Sequence, residues 1–262
     1  MYGFLKSILI EFEWTLAVIA VLLIFIILFW RRQKKLIRNI FPKKIANELF
    51  IKGKAAKIKY DFATVMFSDI QGFTKIAEKM DTEVLIDELH ELFYAFDSIV
   101  EKHGVEKIKT IGDGYMCAGG IPKEDTANPI TVVLAGLEMM TYVRKLEEKG
   151  KKLWNLKIGI HTGSVVAGVV GQKKLSYDIW GDTVNTASHI ESSGEAGKIN
   201  ISETTYECVK DFFDCSYRGK IPIKYKGESD IYFVDGIKPE LCGKDGIPNH
   251  SFWEKMKIVK QT

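Results

Sequence analysis

"ATVMFSDIQGFT", residues 63–74, is the stretch on which the reading of this chain turns. Its first eight residues form an apolar, β-type run and predict a strand. Asp69 stands near the end of that strand. Gly72 then lets the backbone approach a ligand closely, and the amides of residues 71–74 lead into a helix N-terminus. A carboxylate on a rigid strand beside such a turn suits a hard cation held against a phosphate. An ordinary structural turn uses the same residues, so the reading needs a second carboxylate.

Outward from this stretch the chain alternates strands and helices. "DTEVLIDELHELFYAFDSIVEKHG" (81–104) sets Val84, Leu85, Leu89, Leu92, Phe93, Phe96 and Val100 at helical spacing, with Gly104 as the stop. "EKIKTIGDGYMCAGG" (106–120) predicts two strands joined by a tight Gly112-Asp113-Gly114 turn, which supplies the second carboxylate, Asp113. Asn128 as N-cap and Pro129 at the first helical position start a helix to about Glu148. "LWNLKIGIHTGSVVAGVVG" (153–171) predicts a strand pair. "DIWGDTVNTASHIE" (178–191) predicts a strand end, a Gly turn and a helix, on which Asn185 and His189 are four apart and share one face. "GKINIS" (197–202) predicts a strand, residues 202–211 a helix and "SDIYFVDG" (229–236) a last strand. The recurring β-α-β-β-α-β order points to an α+β sandwich with a mostly antiparallel sheet.

Composition narrows the class. Apolar residues make up 46% of the 262, enough for a sizeable core and against global disorder. Cys117, Cys208, Cys215 and Cys242 form no CxxC pair and no zinc-finger spacing, so they read as reduced thiols. The charge is uneven. Residues 31–59 hold eleven Lys and Arg against Glu48 alone, which leaves the remainder acidic and argues against nucleic-acid binding by the main domain. The basic segment follows "WTLAVIAVLLIFIILFW", Trp14–Trp30, an uncharged run flanked by Trp at both ends. At about 1.5 Å per residue it reaches the short end of a membrane span. Arg31-Arg32 directly after it puts the C-terminal side in the cytoplasm, so a single-pass inner-membrane anchor is expected. The charges follow the apolar run and no A-x-A site does, which disfavours a cleaved signal peptide. The expected layout is an N-terminus and membrane helix over 1–30, a basic helical linker over 31–57, a catalytic domain over 58–237 and a polar tail over 238–262. The linker suits either contact with anionic lipid or pairing with its own copy in a dimer.

"VMFSDIQGFT", "EKIKTIGDGYM" and "YDIWGDTVNTAS" resemble the three signature blocks of the class III nucleotidyl cyclases, the adenylate and guanylate cyclases. "FPKKIANEL" (41–49) is similar to the linker that precedes many membrane-bound bacterial members. The resemblance implies the ferredoxin-like βαββαβ-derived sandwich of that catalytic domain. It implies that Asp69, Asp113 and the neighbouring Ile70 hold two Mg²⁺ or Mn²⁺ ions over a triphosphate bound also by Gly72, Phe73 and Thr74. Lys109 and Asp178 would read the purine, Asn185 would orient the ribose, and Lys226 would meet the terminal phosphates. The family's sites lie between two chains, the metal residues from one and the others from its partner. This chain carries both sets, so a homodimer is implied.

The purine-reading positions suit ATP. A lysine only donates and matches adenine N1, while a carboxylate accepts from the 6-amino group; guanine presents the reverse. Position 189 departs from the pattern, because the family normally has arginine there to stabilise charge on the α-phosphate. Imidazole offers at most two donors and is charged only below a pKa of about 6.5. His189 leaves several expectations open: a slow cyclase favoured by acid pH, a nearby Arg or Lys in the missing role, an arginine-bearing partner chain, or an ATP-binding regulatory module without turnover.

Overall fold

The computed structural model describes residues 2–150, 154–223, 227–244 and 246–261, with the side chains of residues 2–13 outside that description. Contacts divide the chain into two compact units, residues 1–56 and 57–262.

The first unit is helical. Helix α1 (Tyr2–Arg38) contains Trp14–Arg38, 25 residues whose most apolar 18-residue window has a mean hydropathy of 2.4, long and apolar enough to cross a membrane. Helix α2 (Lys43–Lys52) starts after Pro42, which cannot continue a helix hydrogen-bond ladder, and ends at Gly53 in the left-handed conformation. Trp30 and Phe50 meet edge to face at 5.1 Å between ring centroids.

The second unit is built on an eight-stranded sheet. Its strands are β1 (Ile58–Ile70), β2 (Glu106–Ile111), β3 (Gly114–Gly119), β4 (Leu156–Val170), β5 (Ser176–Trp180), β6 (Ile199–Ser202), β7 (Phe213–Ile223) and β8 (Gly227–Ile237). They run in the order β2-β3-β1-β4-β6-β8-β7, with β5 paired to β4. Every pair is antiparallel except β4–β6, so the expected sandwich with a mostly antiparallel sheet is present.

Alternation along β1 sends Met66 to one face and Val65 and Asp69 to the other. On the Met66 face lies α5 (Asn128–Glu148), whose Gly136 sits against Met66, Ile158 and Ile199. With α4 (Thr82–Lys102) and α7 (Glu203–Val209) it closes the main core, which includes Leu92, Phe96, Val132, Val133 and Val209. The other face receives α6 (Asp182–Ser192). The approach is close: a Cβ on Gly159 would lie 2.2 Å from the Glu191 backbone nitrogen, and one on Gly163 would lie 2.6 Å from Thr183 Oγ1.

Several expected elements differ. Residues 153–171 do not form a strand pair: from Leu156 to Val170 the chain is one strand, because both of its ends find partners, β1 along its length and β5 at its C-terminal end. Strand β7 was not foreseen. Its burial alternates poorly and Pro222 lies within it, both features of an edge strand. The α5 cap is Ala127, not Asn128. Asn128 is buried in the first turn and its amide donates to Phe62 O and Asp125 O. Residues 238–261 are not merely a polar tail. Asn249 caps α8 (His250–Val259), and Phe252 and Met256, four apart, insert into the core against Phe212 and Phe213.

Gly159→Ala is expected to push α6 off the sheet. It should cost about 1–3 kcal/mol, the usual range for overpacking, read as a lower midpoint in chemical denaturation, with Gly236→Ala, where a Cβ meets nothing within 4 Å, as the comparison.

Candidate active site

Asp69 ends β1, and the β2–β3 turn brings Asp113 beside it. The turn is held from below by α4: Asp97 accepts from Lys107 Nζ at 2.7 Å and from Tyr115 Oη at 2.7 Å, one contact on each strand of the hairpin. Gly112 takes φ 62°, the left-handed conformation that the tight turn requires. The Asp113 carboxyl is pushed above its ordinary value, chiefly by burial and further by the Asp69 charge, while the Ile70 amide donates to it and opposes the rise. Two carboxylates crowded in this way supply hard oxygen ligands whose repulsion a divalent cation relieves. Among the described residues no cluster of three or more His, Cys, Asp or Glu is present, so the remaining ligands of such a cation would come from water, backbone and phosphate. Gly72, at φ 78°, turns the chain from β1 into α3 (Phe73–Ala77), which places Phe73 and Thr74 directly after the Asp69 strand end.

Lys157 was not singled out from the sequence. It lies opposite Asp69 in the β1–β4 register, 3.1 Å from Asp69 Oδ2 and 2.8 Å from Glu191 Oε1 on α6. Burial works against its charge, but Glu191 and then Asp69 outweigh it and hold the ammonium above its ordinary value. Burial in turn raises Glu191, which Lys157 partly offsets. The pair is enclosed, with Lys157 14% and Glu191 9% exposed, so solvent screens it little. It fastens α6 to β4 and to the Asp69 end of β1.

A second group forms between β2 and β5. Lys109 Nζ donates to Asp178 Oδ2 at 2.5 Å, and the other Asp178 oxygen accepts the Ile179 amide at 2.9 Å. That second bond orients the carboxylate, and Lys109 remains 38% exposed with donors to spare. These residues are 69 apart in sequence.

The third group is on α6. Asn185 and His189 both lie exposed on the helix surface. At about 100° per residue, His189 points roughly 200° away from Glu191, and Asn185 roughly 240°. The face that carries Asn185 and His189 therefore turns away from the sheet and from the Asp69–Lys157–Glu191 contact. No hydrogen bond or ion pair among the described residues joins the three groups. Lys226 lies outside the described residues.

The adenylate and guanylate cyclase catalytic domain model matches residues 55–236, which span all three groups. The chain belongs to this cyclase family. An adenylate cyclase of Mycobacterium tuberculosis is 38% identical over 210 residues, covering 79% of this chain and 47% of the relative. A receptor-type guanylate cyclase of Caenorhabditis elegans is also 38% identical, over 215 residues, covering 80% of this chain and 20% of the relative. This cyclase chain thus spans about half the length, or less, of these curated relatives. Among solved structures, the adenylyl cyclase CyaB from P. aeruginosa superposes with a TM-score of 0.66 at 31% identity, covering 69% of this chain and 96% of that one. The guanylate cyclase domain of RhGC from Catenaria anguillulae, in complex with GTP, gives 0.66 at 34%, covering 69% and 100%. Relatives of both substrate types are similar, so family membership leaves the purine undecided.

Asp113→Asn removes the carboxylate crowding. The cation-free protein is expected to melt at a higher temperature than wild type. Mn²⁺ at about 100 times its Kd should add about 2.7 kcal/mol to wild type and nothing measurable to the variant, read by thermal unfolding with and without the ion.

Proposed function

We propose that this chain is an adenylate cyclase that converts ATP to 3′,5′-cyclic AMP and pyrophosphate. Its two equivalent sites would be shared across a homodimer, with the second unit on the cytoplasmic side of the membrane. The observation that carries the choice of substrate is the Lys109–Asp178 pair. An ammonium has no lone pair to offer guanine N1–H, and a carboxylate has no proton to offer guanine O6. Adenine satisfies both partners, through N1 and the 6-amino group. A fully buried site that leaves polar groups unpaired with the wrong base discriminates by about 10⁴–10⁵, and this part-exposed pair by less.

What supports the shared site is the direction of α6. Asn185 and His189 face away from their own chain's carboxylates, so a site that needs both takes one set from each of two chains. In such a site Asp69 and Asp113 would hold divalent ions, which would supply electrostatic stabilisation of the triphosphate. Lys109 and Asp178 fix the purine, and Asn185 orients the ribose. The ribose 3′-oxygen then bonds to the α-phosphorus as the bond to the β-phosphate bridging oxygen breaks. The 3′-hydroxyl proton is lost to solvent and pyrophosphate leaves. His189 meets the developing charge on the α-phosphate with a donated N–H. Arg31 and Arg32, directly after the apolar run, favour the cytoplasmic side for everything that follows.

The test is product formation by the full chain in detergent, with ATP and separately GTP, plus Mn²⁺, at pH 6 and pH 8. Cyclic AMP from ATP, with GTP at least about 100-fold poorer, is expected. Cyclic GTP-derived product at a comparable rate would refute the substrate assignment, and bound ATP without turnover would refute the activity. His189→Arg should raise turnover at pH 7.5 about tenfold, a fraction of the 10²–10³ usually lost with one transition-state donor. Unchanged turnover would remove His189 from the transition state.

A further inference from the structure

Strand β7 carries a bulge at Arg218. Tyr217 pairs with Tyr232 and Gly219 with Ile231, which leaves Arg218 as the extra residue. Gly219 takes φ 121°, so the bulge is built around a residue that tolerates the conformation. Bulges re-aim side chains. Here the guanidinium is turned onto the C-terminal end of α6. Nη2 donates to Ser193 O at 2.5 Å, the residue that caps the helix, and Nη1 donates to Asn200 Oδ1 at 2.9 Å. Nε lies 3.6 Å from the Glu195 carboxylate, and the guanidinium carbon stands 5.4 Å from the Phe233 ring centre.

Each partner is itself fixed. Asn200 is fully buried on β6, and its amide donates to Ile158 O on β4. Ile190 of α6 packs with Ile223 of β7 and Ile231 of β8 in a small core of their own. The planar fork spans the helix end and β6 at once, which a single ammonium cannot do. A cation there also suits the negative end of the helix dipole.

We propose that Arg218 is the positioning residue for the active face of α6. It sets the rotation and height of the last turn of the helix, and through them the place of His189, one turn before Ser193. Arg218 therefore does not stand in for the family's arginine at position 189. Only 16% exposed and committed to four groups, it serves the residue that occupies that position. This rests on the cyclase reading of α6 given above.

The test uses Arg218→Lys in the full chain, which keeps the charge and loses the fork. Hydrogen exchange of amides 188–194 should become at least about tenfold faster, with α5 unchanged. In activity, kcat should fall about tenfold with KM for ATP within twofold. In a His189→Ala background the same change should cost less than twofold, because the group being positioned is gone. Unchanged exchange would overturn the proposal. So would equal losses in both backgrounds, which mark a merely structural arginine. A wild-type chain that makes no cyclic nucleotide would refute the cyclase reading, while the exchange of amides 188–194 would still decide whether Arg218 holds the helix.

Discussion

The pairing of β1 with β4 is the constraint from which the rest of the second unit follows. Eleven residue pairs fix its register, with one bulge between Tyr60 and Ala63. A slip of one residue would exchange the two faces of the strand. Met66 would leave the core under α5, and Asp69 would leave the face that carries Lys157. Burial on both faces makes such a slip costly: Val65 and Met66, adjacent and pointing oppositely, are both fully buried.

That register also divides the labour of the site. The carboxylates are gathered at the end of β1, the Lys109–Asp178 pair is gathered between β2 and β5, and α6 rides on the sheet with its polar face outward. Lys157 and Arg218 anchor the helix at different places, the first to the β1–β4 strand pair and the second to the edge hairpin. A rigid helix that presents its functional side chains away from its own sheet is suited to completing a site on another copy of the chain. The account of function depends on that directionality more than on any single contact.

Much of this was legible in the sequence where the signal is local. The α4 periodicity, the Gly112-Asp113-Gly114 turn, and the Asn185–His189 spacing each lie within one element, and each is present. What could not be read is mostly non-local. Lys157 and Glu191 are 34 positions apart, and nothing about either residue alone predicts an enclosed ion pair. Arg218 sits in an edge strand whose pattern hides the strand itself. The β4 strand looked like two because Gly159, Gly163 and Gly168 punctuate it like turns, whereas the first two are small to admit α6 and the third to admit Lys57. Phe252 and Met256 lie in a stretch that reads as a polar tail, and their destination in the core depends on Phe212 and Phe213 far from them in sequence.

The central claim is that each site takes its carboxylates from one chain and its purine and phosphate partners from another. The most direct test mixes two inactive full-length variants, Asp69→Ala and Lys109→Ala, in detergent. The account predicts that each is inactive alone and that the mixture recovers part of the wild-type rate, because a mixed dimer contains one site with every residue intact. A mixture as inactive as its components would contradict the account.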